Sequence, residues 1–233
     1  LNISTTSSSA NCGASNGSAT VSVLNGTPPY TYQWTPNGGN NANANGLQAG
    51  TYTVNVTDAS GCTASQNVTI GSGAAPGNIN MLSTNVSCFN GANGTATVNA
   101  NGGQQPYTYL WSNGATTQTI QNLTAGTYQV TVTTANGCVS NGSVTLTQPQ
   151  APLSLVSSGT NVSCFGGNNG TTNVVATGGT MPYSYNWNST PIQTTATATG
   201  LTANSYIVTV TDNNGCTATD EVTITQPNQL SIT

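Results

Sequence analysis

Six cysteines are the residues of this chain whose chemistry is easiest to name: Cys12, Cys62, Cys88, Cys138, Cys164 and Cys216. Cys12, Cys88 and Cys164 recur every 76 residues, and Cys62, Cys138 and Cys216 follow at intervals of 76 and 78. Two thiols per period, with no histidine to share a metal, point to disulfides and hence to an oxidising, extracellular compartment. A zinc or iron-sulfur site would need four ligands and CxxC spacing. Six cysteines allow 15 pairings in principle. A repeat that works in tandem has to satisfy its own cysteines, so the period favours Cys12–Cys62, Cys88–Cys138 and Cys164–Cys216. Each would close a loop of about 51 residues, worth ~4 kcal/mol on the chain-entropy model.

The remaining chemistry is sparse. The 233 residues include no Lys, Arg or His, and only four acids: Asp58, Asp212, Asp220 and Glu221. Without cations nothing can neutralise phosphates, which excludes nucleic acid and polybasic membrane attachment. Without His, and with carboxylates that do not recur between repeats, no nucleophile-and-base or acid-base arrangement can be assembled, so no enzyme and no cofactor is expected. Asp58 and Asp212 each lie where a loop calcium could sit, but Thr134 occupies the matching place and calcium wants several oxygens; no metal is expected. No hydrophobic run reaches the ~20 residues of a membrane helix. Leu1 opens no signal peptide, as for a processed chain or a fragment. Thr, Val and Tyr are abundant enough for a folded β protein, whose properties should depend little on salt or pH.

The elements that carry the cysteines repeat with them. Gly50-Thr51-Tyr52-Thr53-Val54-Asn55-Val56-Thr57-Asp58, ahead of Cys62, returns as 126–134 ahead of Cys138 and as 204–212 ahead of Cys216. Tyr and Val alternate with polar residues, the pattern of a strand half buried and half wet. A Gly/Asn-rich turn follows the first cysteine of each repeat and opens a strand, Ala19, Val21, Val23 in the first and Ala96, Val98, Ala100 in the second. Next come Pro29-Tyr30-Thr31-Tyr32-Gln33-Trp34, Pro106 to Trp111 and Pro182 to Trp187, with three aromatics on one face. Trp34, Trp111 and Trp187 read as the core of a small β-sandwich; the other reading is a sugar-stacking platform. The stretch 116–123 is a candidate edge strand, and Leu47, Leu123 and Leu201 are core plugs. In the last strand, parity puts Gln66, Gly142 and Asp220 on the inward face, suggesting a bulge or an open end.

Pro76, Gln148-Pro149 and Gln226-Pro227 close the repeats and stiffen the joints. The expected domains are 1–76, 77–150 and 151–227. Leu230-Ser231-Ile232-Thr233 repeats Leu1-Asn2-Ile3-Ser4, so 228–233 is expected to open a further repeat cut from a longer array.

Taken together, Cys164-Phe165-Gly166-Gly167-Asn168-Asn169-Gly170, then Gly178-Gly179-Thr180-Met181-Pro182-Tyr183-Ser184-Tyr185-Asn186-Trp187, then the Tyr206–Cys216 run and Gln226-Pro227 resemble the SprB repeat of surface adhesins in gliding Bacteroidota. The likeness to PKD-type immunoglobulin-like domains is more distant. The first repeat departs most, with Gly13-Ala14 after its cysteine. The resemblance implies three tandem immunoglobulin-like (PKD-like) β-sandwiches in an extended rod, on the cell surface, exported by the type 9 system and serving adhesion or gliding. The function expected is a stalk, spacer or filament segment of a very large adhesin, with a glycan- or surface-binding module as the alternative. Its partners would be neighbouring repeats, laterally associated copies or surface glycans.

Overall fold

The computed structural model describes residues 1–231. The first repeat has six strands: β1 (Asn2–Ser8), β2 (Gly17–Asn25), β3 (Thr31–Thr35), β4 (Asn43–Leu47), β5 (Gly50–Thr57) and β6 (Thr63–Ile70). The second has β7 (Asn78–Thr84), β8 (Gly94–Asn101), β9 (Thr108–Trp111), β10 (Thr119–Leu123), β11 (Gly126–Thr133) and β12 (Val139–Leu146). The third has β13 (Ser154–Thr160), β14 (Gly170–Thr177), β15 (Ser184–Trp187), β16 (Thr197–Leu201), β17 (Asn204–Thr211) and β18 (Thr217–Ile224). The chain is an all-β repeat protein. The strand expected at 228–233 includes Ile232 and Thr233, which lie outside the described residues.

Every repeat forms two three-stranded sheets, ordered β1-β2-β4 and β3-β5-β6 in the first, and β13-β14-β16 and β15-β17-β18 in the third. The second repeat has β10-β8-β7 and β12-β11-β9, with the candidate edge strand at an edge. Two compact units are present: one comprises Leu1–Leu82, Thr97–Thr119 and Tyr128–Val144, the other Ser83–Ala96, Ile120–Thr127 and the chain from Thr145 onward.

Alternation along β5 turns Tyr52, Val54 and Val56 inward, and the antiparallel register sets Trp34 opposite Val54 and Tyr32 opposite Val56. Trp111 faces Val130, and Trp187 faces Val208, in the same way. The first repeat's core draws on both sheets: Ala19, Val21, Ala44 and Leu47 from one, and Trp34, the β5 residues, Val68 and Ile70 from the other. The third repeats this with Val174, Ala198, Leu201, Trp187, Tyr206, Val208, Val210 and Ile224. Leu123 is buried as well.

The two sheets come close at Gly170, which is not in a left-handed conformation. A Cβ there would lie 2.9 Å from both Ile224 Cγ2 and Leu201 O.

The inward polar positions of the last strand are not bulges in the first and third repeats. Register runs unbroken through Val54↔Gln66 and Val208↔Asp220. Asp220 is instead satisfied across the sheets, its Oδ2 accepting the Ser157 N–H of β13 at 2.8 Å. Gly142 is small because Ile79 Cγ2 and Met81 Sδ occupy the space, 2.6 and 3.0 Å from where its Cβ would be.

One core position is poorly served. Thr172 is 1% exposed, where the other repeats bury Ala19 and Ala96, and its hydroxyl has no hydrogen-bond partner. A buried hydroxyl left unpaired costs about 1–3 kcal/mol. Thr172→Val keeps the shape and removes the orphan, so it should raise stability by about 1 kcal/mol in urea unfolding. A lower midpoint would show that the hydroxyl is satisfied in solution.

Candidate functional site

The residues with chemistry gather at the turns that hold the cysteines. After β1 the chain is strapped to the exit of β6: the Ala10 N–H donates to Gly71 O at 2.9 Å, and the Gly73 N–H to Ala10 O at 2.8 Å. The same strap joins Val86 to Thr147 and Val162 to Thr225, at 2.9 and 3.0 Å. Gln148 and Gln226, the residues before the closing prolines, accept N–H groups from the loops past Cys88 and Cys164, at Asn90 (3.0 Å) and Gly166 (2.8 Å). The first cysteine of a repeat is thereby fixed where its last strand leaves.

The second cysteine sits elsewhere, on the turn between β5 and β6 or its equivalent. Asp58 Oδ1 accepts the N–H groups of Ser60 and Cys62, each at 2.9 Å, and Oδ2 accepts that of Thr27 at 3.2 Å. Asp212 does the same with Asn214, Cys216 and Thr180. In the second repeat the Thr134 hydroxyl accepts the Cys138 N–H at 3.0 Å and donates to Asn136 Oδ1. A hydroxyl can replace the carboxylate here because the task is to cap backbone donors. Both carboxylates raised as calcium ligands spend their oxygens on N–H groups, and among the described residues no three His, Cys, Asp or Glu side chains cluster.

The disulfides are Cys12–Cys138 and Cys88–Cys216, with Cα–Cα distances of 5.0 and 5.7 Å and sequence separations of 126 and 128. Cys62 and Cys164 are free and exposed. The pairing expected within each repeat is therefore corrected, and the reason is distance. β5 and β6 have eight residues each, about 26 Å at 3.3 Å per residue. Cys12 is held at the Gly71 end of this hairpin and Cys62 at its turn. A disulfide spans only 4.4–6.8 Å between Cα atoms. Cys164 and Cys216 are separated in the same way by β17 and β18.

Each bond joins the first cysteine of one repeat to the second cysteine of the next. Around Cys12 the joint adds a hydrogen bond from its N–H to Asn136 O at 3.2 Å, and Gly73 leaves room for the Asn136 amide and Cys138 Sγ. Around Cys88, the Asn214 Nδ2 donates to Ser87 O at 2.9 Å. These neutral contacts surround the sulfurs, and Cys138 is 1% exposed.

Trp34, Trp111 and Trp187 lie in the interior, 3%, 2% and 0% exposed. Their Nε1 groups donate to the carbonyls of Asn41, Thr117 and Thr195 at 2.9, 2.8 and 3.0 Å. No tryptophan face is offered to a sugar. The tyrosines at the entrance to the aromatic strands, Tyr30, Tyr107 and Tyr183, turn their hydroxyls back to Gly26, Gly102 and Gly178 carbonyls.

The cap on the Cys62 turn gives the fold a pH dependence that composition alone does not suggest. The Thr27 N–H, with those of Cys62 and Ser60, holds the Asp58 carboxyl below its ordinary value of 3.8, against burial, which raises it. A group whose pKa is lower when folded stabilises fully above its unfolded value, and that contribution is lost as pH falls through the folded one. Stability should thus decline below about pH 4. Asp58→Asn should lower the urea midpoint at neutral pH and flatten its acid dependence. An unchanged slope on acidification would assign that dependence to other carboxyls.

Among the described residues no helix is long and apolar enough to cross a membrane. The model of the SprB repeat matches residues 4–39, 83–116 and 156–190, each running from a repeat's first strand past its tryptophan. No curated protein matched the chain. Among solved structures, the N-terminal eight Ig domains of Down Syndrome Cell Adhesion Molecule are 14% identical, over 85% of this chain and 33% of that one, at a TM-score of 0.39. Extracellular domains 3–5 of Drosophila OTK are 11% identical, over 97% and 92%, at 0.34. Domains 4–9 of the surface layer protein SbsC are 13% identical, over 97% and 47%, at 0.32. At these scores they say nothing of what this chain binds. The chain carries three SprB repeats in tandem, and with that family it is an extracellular, cell-surface protein.

Proposed function

We propose that this chain is a structural segment of a cell-surface adhesin, a stalk or spacer built from repeats 1–76, 77–150 and 151–227, each an immunoglobulin-like β-sandwich. The observation that carries this reading is the pair of disulfides running from each repeat to the next. A flexible string of beads would have no use for such bonds. A spacer does, because a covalent brace beside each peptide linker limits bending and passes tension between repeats. The sandwich reading is supported by cores drawn from both sheets. It is also supported by Tyr52 and Tyr206, whose hydroxyls bond back to the Gln48 and Thr202 carbonyls four residues upstream, much as in the tyrosine corner of immunoglobulin folds. Adhesion in gliding cells and export by the type 9 system follow from the family and form part of the proposal.

Three repeats of 35–40 Å would make a rod of about 110 Å. Small-angle scattering of the oxidised chain should give that maximum dimension, with a broader distribution once a reductant frees the joints. A radius of gyration near ~18 Å, that of a single compact domain of this length, would overturn the spacer.

A second reading, binding of neutral glycans, is favoured by one feature. On the outer face of β3 and β5, Thr31, Gln33, Asn55 and Thr57 line a depression of about 520 Å³ with Asn40, Tyr30 and Tyr32. It holds amides and hydroxyls and no charge. Retention on an array of neutral glycans, abolished by Gln33→Ala with Asn55→Ala, would establish it, and no retention would remove it.

A further inference from the structure

We propose that Cys62 and Cys164 are the two halves of a further joint, so that a second copy of this chain is joined end to end through a Cys164–Cys62 disulfide. This goes beyond the spacer reading and does not depend on it, since it rests only on the joints already made within the chain.

The pattern of pairing leaves these two cysteines over. Cys12 and Cys88 are first cysteines, and each takes the second cysteine of the following repeat. Cys164 is the remaining first cysteine and Cys62 the remaining second one, and both are exposed thiols. Each sits in a frame that binds a partner elsewhere in the same structure. At Cys88, Asn93 Oδ1 accepts the Ser87 N–H at 3.0 Å, and the Gly91 N–H closes onto Cys88 O at 2.9 Å. At Cys164, Asn169 Oδ1 accepts the Ser163 N–H at 3.1 Å, and the Gly167 N–H closes onto Cys164 O at 3.0 Å. The Asp58 turn at Cys62 is the Asp212 turn at Cys216, bond for bond. Identical frames hold the sulfur in an identical direction, so what Cys88 and Cys216 do is open to Cys164 and Cys62.

Exposure provides independent support. Ser87, Cys88 and Phe89 are half-buried in their joint, whereas Ser163, Cys164 and Phe165 are exposed. Phe165 is 52% exposed and borders, with Cys164 and Pro227, a depression of about 480 Å³. The occupied frame shows what covers such a phenylalanine: the capped turn of another repeat, bearing its second cysteine. The occupant is thus a turn of the Asp58 type, which a second copy of this chain supplies. Because Cys164 and Cys62 are different surfaces, the contact is head to tail and does not close on itself, so it propagates.

The bond forms by two exchanges with a small-molecule disulfide, RSSR. The Cys164 thiolate attacks one sulfur of RSSR and expels RS⁻, leaving a mixed disulfide. The Cys62 thiolate of the second copy then attacks the Cys164 sulfur and expels the second RS⁻. The two cysteines lose two protons and two electrons, and RSSR is reduced to two RSH.

The test uses the full chain, Cys62→Ser and Cys164→Ser, incubated with oxidised glutathione and resolved by non-reducing electrophoresis and peptide mapping. Wild type should give a ladder containing a Cys164–Cys62 peptide, while the Cys12–Cys138 and Cys88–Cys216 peptides persist. Neither variant alone should form a ladder. Mixed, they should give one heterodimer at least about tenfold faster than either forms a homodimer, because docked surfaces raise the effective concentration of the thiols. Homodimers as fast as the heterodimer would overturn the proposal. So would failure to crosslink, or a Cys62–Cys164 bond within one chain.

Discussion

An eight-residue strand is about 26 Å long, and that length decides where the cysteines of this chain go. The hairpins β5–β6 and β17–β18 carry the second cysteine to their turn. The strap from Ala10 to Gly71, or from Val162 to Thr225, keeps the first at the opposite end. No side chain bridges such a gap, so a first cysteine finds its partner outside its own repeat. The loops closed are accordingly of 126 and 128 residues rather than about 51. On the chain-entropy model each restricts the unfolded chain by about 5 kcal/mol, as much as the whole stability of many small domains.

A chain with no cation must build its surface and joints from neutral groups. It does so with hydroxyl pairs across neighbouring strands: Ser8 with Ser18 at 2.7 Å, Thr84 with Thr95 at 2.8 Å, Ser205 with Thr223 at 2.9 Å. Such pairs add a few tenths of a kcal/mol each and are indifferent to salt. Amides serve the joints, through Asn136 and Asn214. The few carboxylates are confined to places where several backbone N–H groups converge, which stabilises the ionised form without a counter-ion. Thr134 shows that the charge itself is dispensable there.

Much of the core could be read from alternation. Trp34, Val54, Leu47 and their counterparts lie inside because a strand of period 2 with apolar residues on one face has only one way to avoid water. Parity also brought Gln66 and Asp220 to the inner face. It could not say how they are accommodated, since the answer for Asp220 is the Ser157 N–H, more than sixty residues away in sequence. Thr172 was equally illegible: its hydroxyl is an ordinary strand residue until its neighbours are known.

The disulfide partners mark the boundary most sharply. By itself the sequence determined that there are three repeats, that each is made of strands around a tryptophan, and that each has one cysteine after its first strand and one after its Tyr-Val-Val strand. These are properties of local spacing. A period of 76 residues, however, is unchanged by a shift of one repeat, so Cys12 stands in the same relation to Cys62 and to Cys138 as far as periodicity can tell. Only the tertiary structure breaks that tie, because it converts the strand between the two cysteines into a distance that a disulfide cannot span.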